Sequence, residues 1–279
     1  MQGPIRRSAV AGSWYPGSAA RIASEVDGYL ARAEPPAVAG RLVGLISPHA
    51  GLRYSGPVAA HGYSLLRGRR GLTLVLVGPS HRVAFDGVAV YARGAFETPL
   101  GMIPIDETLA AALVGVDRRV FDDARPHRDE HSLEMQLPFL QHLVGELQLV
   151  PCLMGSQSRS EVDALVGALA EALPVAGRPV LLVASSDLSH YHPAPLANQL
   201  DALVVDDVAR FDPDRLMDRL ERSHEHACGG GPIVAVMRAA RALGAERAQI
   251  LRYADSGDAG ERDKSHVVGY LSAALLAAA

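Results

Sequence analysis

Three stretches of the chain share one hydrophobic pattern. Leu42 to Ile46, Leu72 with Leu74 to Val77, and Val180 to Ala184 are near-continuous apolar runs of strand length, as expected of strands buried on both faces. Each breaks into a polar turn that carries histidine: Ser47-Pro48-His49-Ala50-Gly51, Gly78-Pro79-Ser80-His81, and Ser185-Ser186-Asp187-Leu188-Ser189-His190. Helical patterns alternate with these runs, so the chain is expected to form one large α/β domain over residues 1–279, with a mostly parallel central sheet flanked by helices. Ligands bind beyond the carboxyl ends of the strands in such sheets, and three histidines delivered to one edge converge on one site.

Capping and periodicity place the helices at Ala19 to Ala33, Pro57 to Leu66, Glu107 to Val114, Glu130 to Val144, Ser160 to Leu173, Leu196 to Arg210, Pro213 to Leu220 and Ile233 to Leu243. Further strands are predicted at Val88 to Tyr91 and Leu147 to Met154, with a last β-like run from His266 to Leu275. Phe96 to Gly101 reads as a loop.

Composition narrows the function classes. A net charge of −4, with 21% of residues charged, leaves no basic patch for nucleic acid. Two cysteines, Cys152 and Cys228, make no disulfide framework in a chain of this size, which points to a reducing cytoplasm. The apolar stretch after Arg6-Arg7 is too short for a signal peptide. Val267 to Ala279 is shorter than the roughly 20 residues that span a bilayer. A cytoplasmic protein without nucleic-acid or membrane partners is expected.

The turn chemistry suits a metal centre. Pro48 and Pro79 restrict the backbone just ahead of His49 and His81, which limits the freedom of both imidazoles. Cys228 precedes Gly229-Gly230-Gly231-Pro232 and a helix, where the helix N-terminus favours thiolate over thiol. Two imidazoles with a thiolate suit iron, copper or zinc, whereas magnesium and calcium want oxygen. Asp187 would instead complete a two-His-one-carboxylate set, and the residues leave the choice between Cys228 and Asp187 open. His127-Arg128-Asp129-Glu130-His131 matches the H-x-x-E-H pattern of certain zinc proteases. The competing reading gives Glu130, Glu134 and Gln136 local roles and makes His131 a polar pocket wall. His224 and His226 are close enough in sequence to Cys228 to ligate, although solvent-facing positions suit them better.

At these residues the chain resembles the Memo family, whose prokaryotic members are called AmmeMemoRadiSam system protein B. The similar stretches are AGSWYPG, SPHAGLRYSG, LVGPSH, EHSLEMQLPFL, SSDLSHYH, ACGGGPI, SGD and VVGYLS, in order over nearly the whole length. The resemblance implies an α/β fold similar to class III extradiol dioxygenases, with metal ligands falling on His49, His81 and Cys228 and with Asp187 and His190 beside them as catalytic groups. It further implies an iron- or copper-dependent oxidoreductase acting on a small molecule, with zinc the poorer fit. The alternative is a non-catalytic scaffold that uses the pocket for a peptide or for a partner such as a radical S-adenosylmethionine enzyme. Cysteine replaces the carboxylate ligand of the dioxygenases, and ring cleavage does not follow from the likeness.

Overall fold

In the computed structural model, residues 3–223, 225–259 and 263–278 are described. The strands, in chain order, are β1 (Ile5–Arg6), β2 (Arg41–Ser47), β3 (Thr73–Pro79), β4 (Val88–Val90), β5 (Ala95–Thr98), β6 (Gly101–Pro104), β7 (Val120–Asp122), β8 (Gln148–Met154), β9 (Val180–Ser185), β10 (Asp187–His192), β11 (Ala245–Asp255) and β12 (Val267–Ala277). The helices are α1 (Ala19–Arg32), α2 (Leu52–Tyr63), α3 (Glu107–Val114), α4 (Leu137–Leu143), α5 (Arg159–Ala172), α6 (Ala194–Ala209), α7 (Pro213–Arg222) and α8 (Gly230–Ala242).

The large sheet runs β10-β12-β2-β9-β3-β8-β4-β7, with β11 on the other edge of β12. Its centre is parallel: β2, β9 and β3 carry the three apolar runs that end in histidine-bearing turns, and β8 pairs in parallel on the far side of β3. β12 is antiparallel to its neighbours and changes partner along its length, from β10 at residues 267–270 to β2 at residues 273–277. That exchange brings Asp187 beside the turn that leaves β2. One helical layer has α8 against β9, β2 and β3, backed by α5 and α7; α2 lies against β12 and β2 with α1 and α4 outside it. The result is a single α/β unit with a mixed sheet between helices, compatible with the class III extradiol dioxygenase-like fold.

Several local expectations need correction. Residues 96–101 are not a loop but most of the hairpin β5–β6; only Pro99 and Leu100 turn, with the Leu100 N–H bonded to Thr98 Oγ1 at 3.0 Å. The second helix starts at Leu52, five residues before the Pro57 that was read as its first turn. No helix starts at Glu130. Turns occupy that region, with the Glu130 carboxylate accepting the N–H groups of His131 and Ser132, and a short 3₁₀ segment, Glu134–Gln136, leads into α4. α5 is capped by Ser158 rather than Ser160, and α8 begins inside the glycine run. The segment carrying His190 is itself a strand, β10, and β11 had no counterpart in the pattern because its residues are largely half-exposed and alternate poorly. Among the described residues no helix is long and apolar enough to cross a membrane.

A buried ion pair ties the N-terminal segment down. Glu134, fully buried, accepts from the Arg6 guanidinium, from the N–H groups of Ala9 at 2.8 Å and Val10 at 3.1 Å, and from the Tyr15 hydroxyl at 2.7 Å. Arg6 also donates to the carbonyls of His127 and Glu130. Removing one partner of such a pair strands the other charge in the core. Glu134→Ala is expected to lower stability by about 3–5 kcal/mol, measured as a shift in the urea unfolding midpoint.

Candidate metal centre

His49 leaves the end of β2 and is buried. The hydrogen-bond network assigns its tautomer. The single hydroxyl proton of Ser185 is donated to Ser132 O at 2.6 Å, and the same oxygen accepts from Gln136 Nε2 at 2.7 Å. His49 Nδ1, 2.9 Å from that oxygen, must therefore be the donor, which leaves Nε2 with its lone pair. Gln136 is itself held, donating to Pro48 O and accepting from the Tyr63 hydroxyl.

His81 leaves β3 under the control of Glu130. Its backbone N–H donates to Glu130 Oε2 and its Nδ1–H to Oε1 at 2.9 Å, so Nε2 again carries the lone pair. Burial pushes the Glu130 carboxyl up, but the hydrogen bond from His81 and the backbone N–H donors around it outweigh burial and hold the group well below the usual carboxylate range. His131 completes the floor. Its ring stacks on His81 at 4.5 Å and lies under Trp14 at 4.3 Å, and its Nδ1 is buried, 3.2 Å from Glu130 Oε1 without the geometry of a hydrogen bond. One nitrogen from each of His49, His81 and His131 lies within 4.8 Å of the others. Burial and the neighbouring imidazoles push His49 and His131 down to about 3, so both stay neutral, as ligation requires.

Cys228 reaches the same place from the other side. Its Sγ is 3.2 Å from His49 Nε2, and its N–H donates to Asp187 O. The glycines behind it are set by close approach. A Cβ on Gly229 would lie 2.5 Å from Ser185 O, and one on Gly231 would lie 2.8 Å from Gln157 Cβ. Gln157 donates to Cys228 O at 2.8 Å and accepts from the Gly231 N–H at 3.0 Å, spanning the loop. The expected thiolate is not what this environment favours by itself: burial and the Asp187 carboxylate push the thiol up. A cation between Sγ and the imidazoles would reverse that balance.

Asp187 and His190 form the opposite wall. Asp187 Oδ1 accepts the N–H of His49 at 2.7 Å and of Ala50 at 3.3 Å, and burial raises its pKa. His190 Nδ1–H donates to Leu188 O at 2.8 Å, leaving Nε2 as its basic atom. These groups line a cavity of about 700 Å³ with Trp14, Tyr54, Tyr191, His266 and Tyr270.

Of the five residues picked from the sequence, His49, His81, Asp187 and His190 line this cavity and Cys228 lies against the His49 ring, while His131, expected only as a pocket wall, is the third imidazole of the group that could hold a metal ion. Its signal was the H-x-x-E-H run, read in the wrong geometry. His127 turns away from the cavity into a buried niche with Nε2 on Ala89 O, and the run is not helical, so the zinc-protease pattern does not form. His226 is buried rather than solvent-facing. His224 lies outside the described residues.

A model of the family described as Memo-like protein matches residues 6–274. The chain belongs to the Memo family. Among its relatives, a MEMO1 family protein of Methanothermobacter thermautotrophicus is 38% identical over 274 residues, covering 95% of this chain and 98% of the relative. One from Pyrobaculum aerophilum is 34% identical over 276 residues, covering 96% and 98%. Another, from Methanopyrus kandleri, is 39% identical over 234 residues, covering 82% and 81%. In this Memo chain the His49, His81 and His131 group could hold a metal ion. Lone pairs on Nε2 of His49 and His81, the imidazole of His131 and a nearby thiol form a nitrogen and sulfur donor set that suits iron, copper or zinc better than magnesium or calcium.

His127 also makes the acid response of the fold predictable. Burial holds it at about 4 against an ordinary 6.5, so the folded chain keeps it neutral. Between those values the unfolded chain takes up a proton that the folded chain refuses, and stability falls as the pH drops through that window. His127→Gln is expected to remove up to about 3 kcal/mol of the loss, read from urea midpoints at about pH 7 and about pH 4.

Proposed function

We propose that this Memo protein is a metal-dependent oxidoreductase of dioxygenase type acting on a small molecule, with iron or copper as its metal. The observation that carries the reading is the set of three imidazoles within 4.8 Å of one another on the floor of a cavity large enough for a small ligand. His49, His81 and Cys228 would hold the metal, with His131 on the same floor. A reduced iron or copper there would supply the electron exchange through which dioxygen, as oxidant, is joined to an organic substrate. The chain's own groups do the rest. Ser185 and Glu130 fix the tautomers of His49 and His81, so both Nε2 atoms are presented without a proton to displace. His190 Nε2, on the opposite wall, accepts a proton from a substrate hydroxyl. Asp187 keeps the His49 backbone in place and, with its raised pKa, is suited to hold a proton close to that transfer.

The test begins with metal content. Purified without oxygen, the wild-type chain is expected to carry about one iron or copper, with the content falling sharply in His81→Ala, His131→Ala and Cys228→Ser. Glu130→Gln should weaken metal affinity by about 10- to 100-fold without removing a ligand. A wild-type chain that takes up no transition metal even on reconstitution would overturn the reading. A loaded chain that consumes no oxygen with any of a broad set of substrates would remove its dioxygenase part.

A further inference from the structure

Cys228 is held from outside the main cavity. The described residues that line that cavity include His49, Asp187 and His190 but not Cys228, which lines a second cavity of about 380 Å³ with Gln157, Gly230 and Gly231, between the starts of α5 and α8. Gly229, Gly230 and Gly231 follow it, and glycine has the most backbone freedom to lose, so the place of the thiol needs support from outside its own loop. On one side the Cys228 N–H donates to Asp187 O at 3.2 Å and the Gly229 N–H to Ser186 Oγ at 2.9 Å. On the other side the support is Gln157.

Gln157 keeps its backbone at φ +58°, a left-handed conformation that crowds Cβ against the following carbonyl and that glycine takes without penalty. Glu161, buried in the first turn of α5, fixes it there. Its carboxylate accepts the Gln157 N–H at 2.7 Å, the Ser156 hydroxyl at 2.6 Å and the Gly87 N–H. From that position the side chain donates to Cys228 O at 2.8 Å and accepts from the Gly231 N–H at 3.0 Å, and a Cβ on Gly231 would lie 2.8 Å from Gln157 Cβ. Among neutral side chains only an amide sets a donor and an acceptor side by side in one plane, and this one grips both ends of the glycine run. Backbone strain that persists at such a point is held by its surroundings and is a reason to look for a role.

We propose that Gln157 is a positioning residue for Cys228: its amide clasps the glycine loop from the second cavity, holds the thiol toward His49, and so decides whether a metal bound by the imidazoles also takes sulfur. The proposal deepens the function proposed above and rests on it for the metal. The placement of the thiol itself does not need that reading, because the clasp is made by the chain alone.

The probe is cobalt(II), which takes nitrogen and sulfur ligands and shows a bound thiolate as a charge-transfer band in the near ultraviolet. Metal-free wild type, Gln157→Gly, Gln157→Glu and Cys228→Ser are titrated with it. The band is expected to be absent in Cys228→Ser and to fall by more than about half in both Gln157 variants, with cobalt affinity about tenfold weaker. Glycine relieves the left-handed backbone, so the urea midpoint of Gln157→Gly should not fall; glutamate keeps the size and the acceptor and removes only the donor to Cys228 O. In the metal-free chain, iodoacetamide should alkylate Cys228 about tenfold faster in Gln157→Gly than in wild type, with the fully buried Cys152 as the unreactive reference. A wild-type band and affinity in both variants, or an unchanged alkylation rate, overturns the proposal. So does loss of the band together with a lower midpoint in both variants, since the glutamine would then be structural. A wild-type chain that binds cobalt without the band removes Cys228 from the ligands and the metal part of the proposal with it, while faster alkylation of Gln157→Gly still supports the placement of the thiol; a wild-type band that neither variant changes leaves the ligand reading standing and removes Gln157.

Discussion

Glu130 is the constraint on which the site depends. One oxygen receives the N–H of His81, and the other receives its ring Nδ1–H together with the N–H groups of His131 and Ser132. A single buried carboxylate thereby joins the end of β3 to the segment that enters α4, and places two imidazoles face to face at 4.5 Å. Four donors on one anion are what hold it ionised in a place where burial alone would favour the acid. Four residues on, Glu134 does the same for the N-terminal segment, and Trp14 comes to rest over His131 as a result. Two carboxylates with no catalytic role of their own thus set both the floor and one wall of the cavity.

The second support is the Ser185 hydroxyl, and it shows how little freedom the site has. Its proton goes to Ser132 O and its oxygen accepts from Gln136 and His49, so every polar capacity is used. Because Ser185 ends β9 and Ser132 lies beside Glu130, the two supports share a segment, and a change in either is felt at both His49 and His81. Networks of this kind are worth more than their separate bonds, since each removal leaves a buried partner unsatisfied.

The legibility of this arrangement in the sequence follows from what makes each part. β2, β3 and β9 were visible because strands buried on both faces must be apolar throughout, and the histidines at the ends of β2 and β3 were visible because the chain leaves the core there. Nearly the reverse holds for β10 and β11. Asp187 to His192 is mostly polar and looks like a turn, and becomes a strand only because β12 supplies a partner along that stretch. His131 was hidden for a related reason: its place depends on Glu130 holding the His131 and Ser132 N–H groups and the His81 ring together, a long-range contact that periodicity does not record. Cys228 does lie against the His49 ring, but its environment was misjudged. The helix end was counted, and burial and the neighbouring Asp187 carboxylate, both of which push the thiol up, were not.

The contrast between floor and mouth has a physical logic. A metal site gains from ligands whose tautomers and rotamers are set in advance, because no ordering then has to occur on binding. Its opening has to admit and release a ligand, and there β10 breaks register twice and Tyr191 stands exposed in left-handed backbone within one residue of His190. The strain sits on the strand that also carries Asp187, whose Oδ1 fixes the backbone of His49 and Ala50. A ligand that relaxes or tightens β10 would therefore act on the floor through Asp187 without touching His49, which couples what enters the mouth to the geometry of the imidazole beneath it.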